Sequence, residues 1–256
     1  MSATRRGGRR PGTGARTGRP GGPARLPSAA AITRGVVARL VGSGLVLFAL
    51  LVAVGWTLTR IYPGSQLVGR DNRTARWFLE SRTPTWNTLS DVGSRLADTG
   101  TAIALTTVAV LLLRWWLGRW RESLVVLAAI SGELFVFLLV TNTVDRPRPP
   151  VPRLDEAPPT SSFPSGHTAA AIALYGVLAV VLLRRWGNRP AARAVAVLLL
   201  CVPAVVAVAR VYRGMHYPSD VLFGFLGGGA WLLVVLYLLM PPTMYGRQRV
   251  PSRRTR

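Results

Sequence analysis

Residues 191–240 read AARAVAVLLLCVPAVVAVAR VYRGMHYPSD VLFGFLGGGAWLLVVLYLLM, two long apolar runs around a short polar connection. Each run is long enough to cross a bilayer, since roughly 20 apolar residues span the hydrocarbon layer as a helix. Neither run carries the punctuation of strands. Between them stand His216 and, four residues on, Asp220. Pro218 suits the first turn of the second helix. From there Asp220 is expected to reach back to one imidazole nitrogen of His216, fix its tautomer and free the other nitrogen to attack. An acid at that position also suits a helix N-terminus with no chemical role.

Working outward, four more blocks have the same character. The six predicted spans are Val36–Leu58, Gly100–Leu117, Glu122–Val144, Ser165–Leu183, Ala191–Val211 and Ser219–Met240. The expected fold is all-α: a polytopic membrane protein with six transmembrane helices in one bundle. The first block is longer than the apolar core of a signal peptide and lacks a small-residue cleavage site after it, so it reads as a membrane helix. Residues 1–35, rich in Arg, Gly and Pro, read as a disordered tail. Residues 36–240 form the membrane domain, and 241–256 a short basic tail. In residues 59–98, Trp77, Phe78 and Trp86 suggest a segment partly buried at the membrane surface. Pro203 is expected to kink its helix, and Gly227-Gly228-Gly229 to permit close helix packing.

The net charge is +22 and every basic residue is arginine. Such a charge raises nucleic-acid binding. Yet the arginines lie in the tails and short connections, with no interleaved aromatic platforms, so no nucleic-acid partner is expected. They follow the rule that cytoplasmic connections are the more basic. With six spans both termini share a side, which collects 21 of the 32 arginines against 11 on the other. Both termini are therefore expected in the cytoplasm of a cell-membrane protein, with the 3–4 and 5–6 connections outside. Cys201 has no partner for an intrachain disulfide and reads as a small packing residue. Glu133 lies inside the third span with no evident role, although acids at that depth are functional candidates.

The 3–4 connection carries Asp145-Arg146-Pro147-Arg148-Pro149, then Ser162-Phe163-Pro164-Ser165-Gly166-His167. Arg148 and Arg210 each offer a planar fork to phosphate oxygens, although arginines at headgroup level also serve as plain anchors. Ser165, Gly166 and His167 open a helix, where free N–H groups and the dipole favour an anion. His167 and His216 are the two histidines of the chain. There is no Walker-type loop, zinc signature or serine elbow. Carboxylates able to hold a divalent metal are few, so neither metal nor cofactor is expected.

Together these residues resemble the type 2 phosphatidic acid phosphatase (lipid phosphate phosphatase) superfamily. Its pattern is a lysine followed seven positions later by Arg-Pro, then Pro-Ser-Gly-His, then Ser-Arg with a later His and Asp. Here Arg148-Pro149, Pro164 to His167, and Arg210, His216 and Asp220 match. The resemblance, over roughly residues 36–240, implies a metal-independent hydrolase acting on a lipid phosphate or pyrophosphate. His216 would be the nucleophile, forming a phosphohistidine. Asp220 would orient it, and His167 would protonate the leaving group. Arg148, Arg210, Ser165 and the Gly166 amide would bind the phosphoryl oxygens. Undecaprenyl pyrophosphate, phosphatidic acid, diacylglycerol pyrophosphate and phosphatidylglycerophosphate are all candidate substrates. Two positions depart: Thr141 stands for the lysine and Ala209 for the serine, removing a cation and a hydroxyl that contact phosphate in the family. Arg146 or Arg153 is the expected replacement for the cation. The alternatives are a lipid-linked phosphotransferase and a member that binds lipid phosphate without turnover.

Overall fold

The computed structural model describes residues 29–241. The expected tails, apart from residues 29–35 and Pro241, lie outside the described residues. The described chain runs α1 (Ala29–Trp56), a π-helical turn (Thr57–Ile61), α2 (Gln66–Glu80), α3 (Pro84–Arg95), α4 (Thr99–Leu117), α5 (Arg121–Thr143), α6 (Gly166–Trp186), α7 (Pro190–Tyr212) and α8 (Pro218–Leu239). Six helices are long and apolar enough to cross a membrane: Thr33–Ile61 and α4 to α8. They coincide with the six predicted spans. α1 starts earlier than expected because Ala29-Ala30-Ala31 extends it into the presumed tail, alanine being the best helix former.

α6 is the most enclosed of the six, packed between α5, α7 and α8. Small residues make this possible. A Cβ at Gly224 of α8 would lie 2.5 Å from the Ser165 carbonyl oxygen, and one at Gly228 lies 2.7 Å from that of Ala169. α8 therefore approaches α6 nearly backbone to backbone at the end where α6 begins. On the other side Gly132 of α5 makes room for the Trp231 indole of α8, whose Nε1 donates to the Ala129 carbonyl at 3.1 Å. Leu45, Leu111, Leu198 and Leu233 point outward, as expected of a surface solvated by lipid. Cys201 also points outward on α7, so it is not the packing residue its apolar context suggests. α7 continues as helix through Pro203.

Residues 59–98, left open by the sequence, form α2 and α3. Ser65 and Thr83 cap them through the Val68 and Trp86 amides. They pack against α7, and α2 also touches α8. Arg82 between them donates to the carbonyls of Pro152 (2.7 Å) and Tyr212 (3.0 Å). This pair of short helices thereby holds the long α5–α6 connection against the end of α7.

Candidate active site

Two connections meet at one end of the bundle. The Ser165 amide donates to the Asp220 carbonyl at 3.0 Å, and the Leu154 amide to that of Arg213 at 3.1 Å. Arg148 Nη1 reaches the Met215 carbonyl at 2.7 Å. Gly214, at φ 73°, turns the chain between α7 and α8 where a side chain would meet Val151 and Pro152. The turn sets His216 inward, 4 % exposed.

A cavity of about 460 Å³ opens beside it, lined by Arg148, Gly166, His167, Arg210 and His216 and extending down between α4 and α5. Arg148 and Arg210 approach from different connections. Each leaves its Nε buried without a partner among the described residues. The remaining contacts of Arg210 hold it in place: Nη1 donates at 2.8 Å to both Ser94 Oγ and Asp155 Oδ2. Asp155 also takes Arg213 Nε at 2.8 Å. Burial opposes its charge, but the Arg213 hydrogen bond and then the Arg210 and Arg213 charges hold its carboxyl below the usual carboxylate value. Gly166 is needed for space, because a Cβ there would stand 2.7 Å from the Phe137 ring. Ser165 is fully buried, its hydroxyl 3.0 Å from that of Thr168.

The imidazole of His216 is oriented differently from the expectation. Its Nδ1 lies 2.7 Å from the Ser162 carbonyl oxygen, whereas Asp220 Oδ2 is 3.9 Å away. A carbonyl only accepts, so Nδ1 carries the proton and Nε2 the lone pair. Burial, then the charges of Arg210 and Arg148, hold His216 well below its ordinary value of 6.5, leaving the ring neutral. Asp220 spends its hydrogen bonds elsewhere: it accepts from Arg146 Nη1, from Ser162 Oγ and, at 2.8 Å, from the Tyr217 amide. The four-residue spacing brought Asp220 near the ring, but the capped first turn of α8 directs its carboxylate at Arg146 and Ser162.

Arg146 is a second correction. Its guanidinium is 4 % exposed, pairs with Asp220 and with Asp71 (Nη2 to Oδ2, 2.8 Å), donates to Ser219 Oγ at 2.8 Å, and lies over the Tyr217 ring. Two carboxylates neutralise it, so it is not available as a stand-in for the missing lysine. Asp71 was missed by the sequence reading. It is 1 % exposed on α2 and also accepts from the Ser219 amide at 3.0 Å. The signal was present: Val68, Asp71, Ala75 and Phe78 share one helical stripe, where a lone acid among apolar residues implies a buried partner. Thr141 lines the cavity. Ala209 does not; its Cβ lies against Gly93 of α3.

Residues 121–243 match the family model of the PAP2 superfamily. Over 106 residues, 41 % of its length, the chain is 30 % identical to phosphatidylglycerophosphatase B of Bacillus subtilis (strain 168), and spans about half (51 %) of that relative. Over 147 residues, 55 % of this chain and 70 % of the relative, it is 28 % identical to a putative undecaprenyl-diphosphatase of Escherichia coli (strain K12). The fold is similar to the crystal structure of a transmembrane PAP2 type phosphatidylglycerolphosphate phosphatase from Bacillus subtilis. The TM-score is 0.65 at 21 % identity, covering 77 % of this chain and 94 % of that one. The matched residues hold both histidines, Arg148, Arg210 and Asp220, so it is over the candidate site that this multi-pass membrane protein is similar to the PAP2 superfamily.

Proposed function

We propose that the protein hydrolyses a lipid phosphate or pyrophosphate through a phosphohistidine on His216. The observation that carries this reading is the pair of unpartnered, buried Nε–H groups of Arg148 and Arg210 in one cavity with both histidines. Buried donors are rarely left unsatisfied, and two guanidiniums lining one cavity suit a tetrahedral oxyanion.

The chemistry follows from the tautomer. His216 Nε2 attacks phosphorus as the bond to the leaving oxygen breaks, and His167 gives that oxygen a proton. Water then attacks the phosphohistidine, yielding its proton to His167, and the P–N bond breaks to release phosphate. Arg148, Arg210, the Gly166 amide and Ser165 stabilise the charge on the transferring group. Asp220, 3.9 Å from Nδ1, favours the cationic ring of the intermediate by its charge. The Ser162 carbonyl fixes the ring's orientation. None of these steps calls on a metal.

On the arginine asymmetry both termini face the cytoplasm and the cavity faces outward. Its extension between α4 and α5 suits acyl or prenyl chains that stay in the bilayer while the phosphate meets water. The test is phosphate release from a panel of lipid phosphates by detergent-purified protein with EDTA present. Release by the wild type that His216→Ala abolishes supports the reading. No release by folded wild type from any lipid on the panel overturns it.

A further inference from the structure

Glu133 on α5 and Thr106 on α4 are buried polar side chains that this chemistry leaves unused. Glu133 is 5 % exposed and has no hydrogen bond or ion pair among the described residues. Thr106 is 8 % exposed, and its Oγ1 is buried without a partner among the described residues. Both line the cavity that holds Arg148, Arg210 and the two histidines. Unpaired polar groups inside a bilayer span are costly and mark a binding function by default.

Their depth is set by the helices. Glu133 precedes Thr141 by eight residues on α5, about 12 Å at 1.5 Å per residue. Thr106 follows Thr99 by seven on α4, about 10 Å from the same end. Thr99 and Thr141 also line the cavity. The two polar groups therefore stand at similar depth on facing walls, among apolar neighbours such as Ile103, Ile130 and Leu134. A carboxyl in its acid form and a hydroxyl each offer one O–H donor to an accepting oxygen.

We propose that Glu133 and Thr106 form a polar station that hydrogen-bonds the glycerol-ester oxygens of a glycerolipid and so selects it over a polyprenyl pyrophosphate. This inference rests on the phosphatase reading. Three chain bonds span at most about 3.6 Å, so a 12 Å descent from the level of Thr141 corresponds to about ten bonds. In a phosphatidyl lipid whose terminal phosphate sits on a second glycerol, the ester oxygens fall at about that distance, by the same bond length. A polyprenyl chain presents only hydrocarbon there and leaves both protein groups unpaired.

The test compares phosphatidylglycerol phosphate with farnesyl pyrophosphate, measuring both KM and equilibrium binding in detergent micelles. Thr106→Val, nearly isosteric, and Glu133→Leu are each expected to weaken both parameters for the glycerolipid about tenfold, the loss of one buried hydrogen bond. Farnesyl pyrophosphate should be unaffected. Glu133→Gln, which keeps hydrogen-bonding capacity, should restore most of the glycerolipid affinity. Equal changes for both lipids, or none for either, would overturn the station; a pair that merely binds water gives the second result. If the wild type turns over neither lipid, the phosphatase reading falls, while a glycerolipid-selective loss of binding still upholds the station.

Discussion

Asp71 Oδ2 accepts from Arg146 Nη2 at 2.8 Å, joining α2 to the connection that precedes α6, with both side chains almost wholly buried. Arg146 in turn holds the carboxylate of Asp220. Breaking a buried pair by removing one partner typically costs about 3–5 kcal/mol. Asp71→Ala is therefore expected to lower stability by about that amount and to reduce turnover, although Asp71 does not line the cavity. Asp71→Asn, which still accepts hydrogen bonds, should lose less. Thermal unfolding in detergent with parallel kinetics checks this; unchanged stability in Asp71→Ala would remove the network from the account.

The pH profile of kcat/KM reports the free protein. Under the proposed mechanism His216 must be neutral to attack, and burial with the charges of Arg210 and Arg148 keeps it so well below pH 6.5. The acid limb of the profile should thus lie well below that value. Arg148→Met removes one of the depressing charges and should move the limb to higher pH, in addition to lowering the rate. A limb that stays put in Arg148→Met would show that this charge does not tune the nucleophile.

Inorganic phosphate should raise the unfolding temperature of the wild type, because a ligand at a hundredfold its Kd stabilises by about 2.7 kcal/mol. The effect depends on the unpartnered Nε groups of Arg148 and Arg210. In Arg148→Met and Arg210→Met it should shrink to little or nothing. Equal stabilisation of all three proteins would place the anion elsewhere.

Thr141 and Ala209 both depart from the family pattern, but their surroundings separate them. Thr141 faces the cavity, so Thr141→Lys is expected to lower KM about tenfold by adding a charged donor. Ala209 packs on Gly93, away from the cavity. A serine there can bond the carbonyl four residues back in its own helix, so Ala209→Ser should leave kinetics within about twofold, far less than the loss of one charged hydrogen bond. Steady-state kinetics on one lipid phosphate distinguishes the pair.

The spans were readable because length and apolarity alone decide them. Val36–Leu58 and its five successors each exceed what a soluble core requires. α2 and α3 were not, since short amphipathic helices draw their stability from contacts such as Arg82 with Pro152 and Tyr212, over distances of 70 and 130 residues. The approach of His167, Arg148, Arg210 and His216 followed from a count of connections on each side. What escaped was the partner of each charge. Local spacing put Asp220 beside His216, yet the Ser162 carbonyl, 54 residues upstream, holds the ring. Likewise Arg146 reads as a spare cation until Asp71, 75 residues away, is brought beside it.

The close approach of α8 to α6 at Gly224 and Gly228 contrasts with α4, which among the described helices packs mainly on α5 and lightly on α6. The end that holds both histidines is closely packed, and the α4 wall of the cavity is thinly supported. Under the proposed function the two products therefore part company at the moment of cleavage: the dephosphorylated lipid slips sideways past α4 into the leaflet, and phosphate departs into water. Each product is diluted in a phase the other does not enter, so recombination is starved and turnover runs in one direction.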